Sequence, residues 1–139
     1  MKSVWQENKY IDLWSLNHFL SGSSLAGVAW FFKIHFIVAV CIAAAIFIMW
    51  EYIEYYTKVG EALTNQISDI VVATLGFFVF YFVQNPLISA LIITLFLILE
   101  TWGYLHKFIE GKGRAPKYMP IFCIGAAFIY VMLYAVFII

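Results

Sequence analysis

Carboxylates, an amide and an imidazole stand in this chain where almost everything around them is apolar. Trp50-Glu51-Tyr52-Ile53-Glu54 closes one long apolar run and Asn65-Gln66-Ile67-Ser68-Asp69 opens the next. His18 and Ser15 lie in the run before these, and Glu100 near the end of a later one. Carboxylates with a histidine can act as general acid and base, or can offer a hard cation several oxygen ligands and one imidazole. Ionisable groups inside membrane segments are costly enough to mark a functional site by default. The candidate catalytic residues are therefore His18, Glu51, Glu54 and Asp69, with Asn65, Ser15 and Glu100 as candidate binding residues. No zinc-protease HExxH, phosphate-binding glycine loop, haem or cysteine metal pattern occurs, so the metal, if any, is undefined beyond a divalent cation.

The elements that must position these groups follow from composition. Of 139 residues, 65% are hydrophobic and 12% charged, and the mean hydropathy is +0.93. A soluble domain has about half apolar and about a quarter charged residues, so the chain is expected to be an all-α, polytopic membrane helix bundle. Each crossing needs roughly 20 residues. Five apolar stretches meet that length, at about 11 to 31, 34 to 57, 66 to 84, 87 to 108 and 119 to 139, within a single integral membrane domain. The first carries Asp12, Asn17, His18 and several serines, so it can be read as spanning, tilted or re-entrant. Gln84-Asn85-Pro86 is a break, with Pro86 suited to the first turn of a new helix. The N-terminus lacks the apolar core and cleavage site of a signal peptide and is read as unprocessed. Cys41 and Cys123 fall at different depths and are read as packing residues without a disulfide.

Lys and Arg set the orientation. Lys2, Lys9, Lys58, Lys107, Lys112, Arg114 and Lys117 fall on one side and Lys33 alone on the other. The positive-inside rule then puts the N-terminus in the cytoplasm, with Trp14 and Trp102 at the inner boundary and Trp30 at the outer one. With this topology Glu51, Glu54, Asn65, Asp69, His18 and Glu100 all fall in the inner leaflet. Glu51 and Glu54 share a helix face, as do Asn65 and Asp69 in a stripe continuing through Ala73 and Gly76. Ser15, His18, Gly22, Ala26 and Ala29 form a small and polar stripe of the kind that lets membrane helices approach closely. These faces are expected to meet. Simpler roles stand beside the chemical ones: Asp12 as a helix cap, Glu54 as partner of Lys58, His18 as an interhelical hydrogen bond, and Glu100 as a side chain snorkelling to the interface.

The motifs His18-x-x-x-Gly22, Trp50-Glu51-x-x-Glu54 and Asn65-x-x-x-Asp69 followed by Leu75-Gly76-Phe77 resemble a family of uncharacterised bacterial inner-membrane proteins. More distantly, the chain is similar to the VanZ-like family, in which a Glu motif precedes Asp-x-x-x-Asn; the Asn of that pattern falls on Ala73. The likeness covers about residues 11 to 108. It implies a multi-pass protein of the bacterial inner membrane; VanZ-like proteins are linked to glycopeptide resistance by an unestablished mechanism.

Two functions fit. The first is a protein with a cytoplasmic-side polar site that binds or acts on a membrane lipid or lipid-linked headgroup, where a divalent cation would bridge an acidic pocket to a phosphate. The second is a small accessory subunit with protein partners in a larger membrane complex. Neither involves nucleic acid. Ion or proton transport is disfavoured, because the outer half lacks ionisable residues.

Overall fold

Among the described residues, Asp12 caps the first helix. Its carboxylate accepts from the backbone N–H of Trp14 at 2.8 Å and of Ser15 at 3.1 Å. The Ser15 hydroxyl accepts in return from the Asp12 N–H at 3.3 Å. This reciprocal box satisfies the donors that a helix start leaves open, and it begins α1, Leu13–Phe31. The computed structural model describes residues 11–56 and 62–109, together with Gly125. Within it follow α2, Phe36–Tyr56, α3, Leu63–Tyr81, and α4, Pro86–Ile109. The expected segment 119 to 139 lies outside the described residues.

Local chemistry sets the boundaries. After α1, Lys33 takes φ 54°, its N–H bonds Trp30 O at 3.0 Å, and the Ile34 N–H reaches back to Ala29 O at 2.9 Å. That is the Schellman stop, usually made by glycine. At the second turn Gln84 takes φ 46°, and Asn85 Oδ1 accepts from the Ile88 N–H at 3.1 Å, so α4 starts at Pro86 as the break implied. The third helix starts three residues earlier than the hydropathy pattern suggests, since Ala62 is extended and Leu63 already helical. It also ends earlier, at Tyr81, because the turn before Pro86 consumes residues that read as apolar.

Three helices are long and apolar enough to cross a membrane: Phe36–Tyr56, Leu63–Tyr81 and Pro86–His106. This is a helical membrane protein. The more polar α1 is nonetheless one uninterrupted helix of 19 residues, roughly 28 Å at 1.5 Å per residue, and it sits at the centre of the described bundle. It packs most extensively on α3, then on α4, and lightly on α2, which also leans on α3.

The α1–α3 crossing is parallel, because His18 lies by Asp69 and Gly22 by Ala73. A Cβ on Gly22 would strike the Ala73 carbonyl oxygen, and one on Gly76 the Phe19 carbonyl oxygen. The two backbones touch there. Ala26, Ala29, Ala39, Ala43 and Ala73 continue the small-residue seam, closed by Phe47 and Phe77. Such seams suit a bilayer, where close packing rather than water exclusion drives helices together. Against α4, Asn17 meets Glu100, Trp14 meets Gly103 and Gly27 meets Ser89, numbers that fall on one helix as they rise on the other, so this pair is antiparallel. Trp14, at the start of α1, is buried in the bundle, 7% exposed, its ring covering Gly103 and lying edge-on to Tyr104. Cys41 is likewise no interior packing residue: it is exposed on the outer face of α2.

Candidate functional site

The polar residues singled out by type and spacing gather near one end of the bundle. His18 projects from α1 toward both neighbours. Its Nε2 lies 3.9 Å from Glu51 Oε1 on α2 and 3.8 Å from Asp69 Oδ2 on α3. Asn65, one turn before Asp69, donates from Nδ2 to the same Oδ2 at 3.0 Å. Asn65 and Asp69 are fully buried and Glu51 is 7% exposed. Three separate helices therefore converge on one imidazole.

Helix geometry explains the convergence. Residues three or four apart stack on one face, so Glu51 and Glu54 sit on the same side of α2, and Asn65 and Asp69 on the same side of α3. The Gly22–Ala73 contact, one turn further along, pulls α1 against α3 closely enough for His18 to reach Asp69. Glu54 joins from the half-buried rim: one ligand atom each of His18, Glu51 and Glu54 lie within 4.8 Å of one another. Two ligands held at about 2.0–2.6 Å by one divalent ion stand at most about 5.2 Å apart. The His18 separations from Glu51 and Asp69 exceed hydrogen-bond length and fall within that limit. One imidazole with carboxylate oxygens suits a hard or borderline divalent cation, and the same group could shuttle a proton between carboxylates.

Glu100 does not belong to this cluster. It is buried on α4, where its Oε2 accepts from Asn17 Nδ2, so it faces inward and does not snorkel. Consecutive helical residues point about 100° apart, and Asn17 and His18 consequently serve different sides of α1, the one meeting α4 and the other α2 and α3. The polar layer is thus two sites separated by a helix. Ser15 is 1% exposed, with its hydroxyl engaged in the cap of α1, and Asp12 fills the capping role open to it. Asn17 is the participant that spacing did not single out; an amide one residue from His18 inside an apolar helix was the available signal.

Comparison with protein-family models, with curated proteins and with solved structures finds no match. Fold and site define a helical membrane protein with a buried His–carboxylate cluster.

Proposed function

We propose that the chain is a VanZ-like, multi-pass protein of the bacterial inner membrane whose His18, Glu51, Glu54 and Asp69 cluster binds or acts on a phosphate-bearing lipid or lipid-linked headgroup. The observation that carries this reading is the convergence of three helices on His18. Interhelical polar contacts in membranes average only about 0.6 kcal/mol, so several buried carboxylates are a poor way to hold helices together and a good way to hold a ligand. Because carboxylates repel a bare phosphate, the headgroup would be met through a divalent cation held by His18, Glu51 and Glu54, with Asn65 fixing Asp69 beside it. The bundle would have five crossings, the N-terminus and the cluster on the cytoplasmic side, following the Lys and Arg distribution.

Glu51→Gln and Asp69→Asn test this. Both keep shape and hydrogen bonding while removing charge, so both are expected to purify with thermal stability equal to or above the parent. The parent is expected to co-purify with a phosphate-bearing lipid detectable by mass spectrometry, both variants should lose it, and chelation with EDTA should strip it from the parent. If both variants instead fail to fold and show no separable loss of lipid, the carboxylates are structural and the accessory-subunit reading stands.

A further inference from the structure

The opposite end of the bundle carries a second, differently charged feature. The α1–α2 and α3–α4 turns lie side by side there, tied by Tyr81, whose hydroxyl donates to Ile34 O at 3.1 Å. Between them opens a cavity of about 440 Å³ lined by Trp30, Phe31, Lys33, Ile34, Tyr81 and Gln84. Lys33 and Gln84 are also the two non-glycine residues of positive φ among the described residues, at 54° and 46°. An L residue with a Cβ is strained in that conformation and glycine is not. Two separate turns thus forgo glycine, and their Lys33 and Gln84 line one cavity.

Charge singles out this end as well. Lys33 is the one Lys or Arg among the described side chains, while Asp12, Glu51, Glu54, Asp69 and Glu100 all sit toward the other end. Among the described residues that line it, Lys33, Gln84 and Trp30 carry donor groups and none carries a carboxylate. The Tyr81 hydroxyl spends its proton on Ile34. Beside the cavity Phe32 and Phe82 are 62% and 69% exposed, an apolar flank for acyl chains. The ends of membrane helices lie at headgroup depth, where Trp, Tyr and Lys meet lipid phosphates.

We infer that the cavity between the two turns binds the phosphate of an anionic phospholipid, with Lys33 as its charge partner and Gln84 and Trp30 as donors. This site is independent of the carboxylate cluster. The test is native mass spectrometry of the detergent-purified full chain titrated with phosphatidylglycerol, with phosphatidylcholine as reference. The parent should prefer phosphatidylglycerol at least five-fold, and Lys33→Arg should keep that preference. Lys33→Gly removes the ammonium but relieves the backbone, so it should fold at least as stably as the parent while its preference falls to about one. Competition by millimolar glycerol 3-phosphate would reveal a site for free phosphate and overturn the lipid assignment; persistence of lipid binding against it supports the assignment. Lys33→Gly retaining the parent's preference would overturn the site altogether, leaving Lys33 and Trp30 as ordinary boundary anchors.

Discussion

Gly22→Ala probes the contact on which both fold and site depend. In an exposed helix the change would be favourable by up to about 1 kcal/mol, since alanine forms helix better than glycine. Here the added methyl meets the backbone carbonyl of Ala73, which no rotamer change can move aside. Relief requires α1 and α3 to separate by about 1 Å, and a gap of that size forfeits a quarter to a half of each atom-pair attraction of about 0.1–0.2 kcal/mol. With on the order of 40 such pairs along the seam, the loss is about 1–4 kcal/mol, around the range known for overpacked cores. Loss exceeds gain, so Gly22→Ala should lower the thermal midpoint in detergent and, by moving His18 away from Asp69, weaken lipid retention as well. Gly76→Ala, which meets Phe19 O, should match it. Gly27→Ala, which meets only Ser89 Cβ and Oγ at 3.0 Å, should be markedly milder. Gly22→Ala unfolding at or above the parent's midpoint would refute the direct backbone contact.

The other expectations concern the ends of α1 and its second polar pair. Asp12→Ala should destabilise by about 1 kcal/mol through loss of the cap, and Asp12→Asn should restore most of it; equal thermal midpoints for parent and Asp12→Ala would show that the box carries no stability. Asn17→Leu removes a donor from the buried Glu100 and should cost about 1–3 kcal/mol, whereas adding Glu100→Leu should recover much of that. A double variant no more stable than Asn17→Leu would show that the two residues are not coupled. Gly113→Cys, in a chain without Cys41 and Cys123, should resist membrane-impermeant maleimide in intact cells if the basic loop is cytoplasmic; ready labelling would invert the proposed orientation.

Much of this arrangement was legible because membrane helices leave coarse signals. Length and hydropathy mark α2, α3 and α4, Pro86 marks a start, and the spacing of Ser15, His18, Gly22 and Ala26 gives the face of α1 that meets α3. Periodicity states which residues share a face and is silent about which neighbour that face meets. This is why Glu100 was grouped with Glu51 and Asp69, although α1 stands between them. The burial of Trp14 was illegible for a related reason: tryptophan at a helix end usually marks the interface, and the small Gly103 opposite, which creates the slot for its ring, lies on another helix. The early end of α3 was hidden because Phe82 and Val83 are as apolar in a turn as in a helix.

The position of α1 follows from a balance that hydropathy alone reads backwards. Ten of its 19 residues are buried, against four of 21 in the much more apolar α2, so the least lipid-soluble helix is the most enclosed. Two of its serines pose little difficulty inside the bundle, because Ser21 and Ser23 donate to the carbonyls of His18 and Phe19 on their own helix at 2.8 Å, whereas the buried Ser24 hydroxyl has no hydrogen-bond partner among the described residues. Glycine and alanine then let α3 approach without large side chains in between. Asn17 and His18 remain as the polar groups long enough to look outward, one to α4 and the other to α2 and α3. A single helix turn thereby sets the geometry of both polar sites, and rotation of α1 about its axis must disturb the two together.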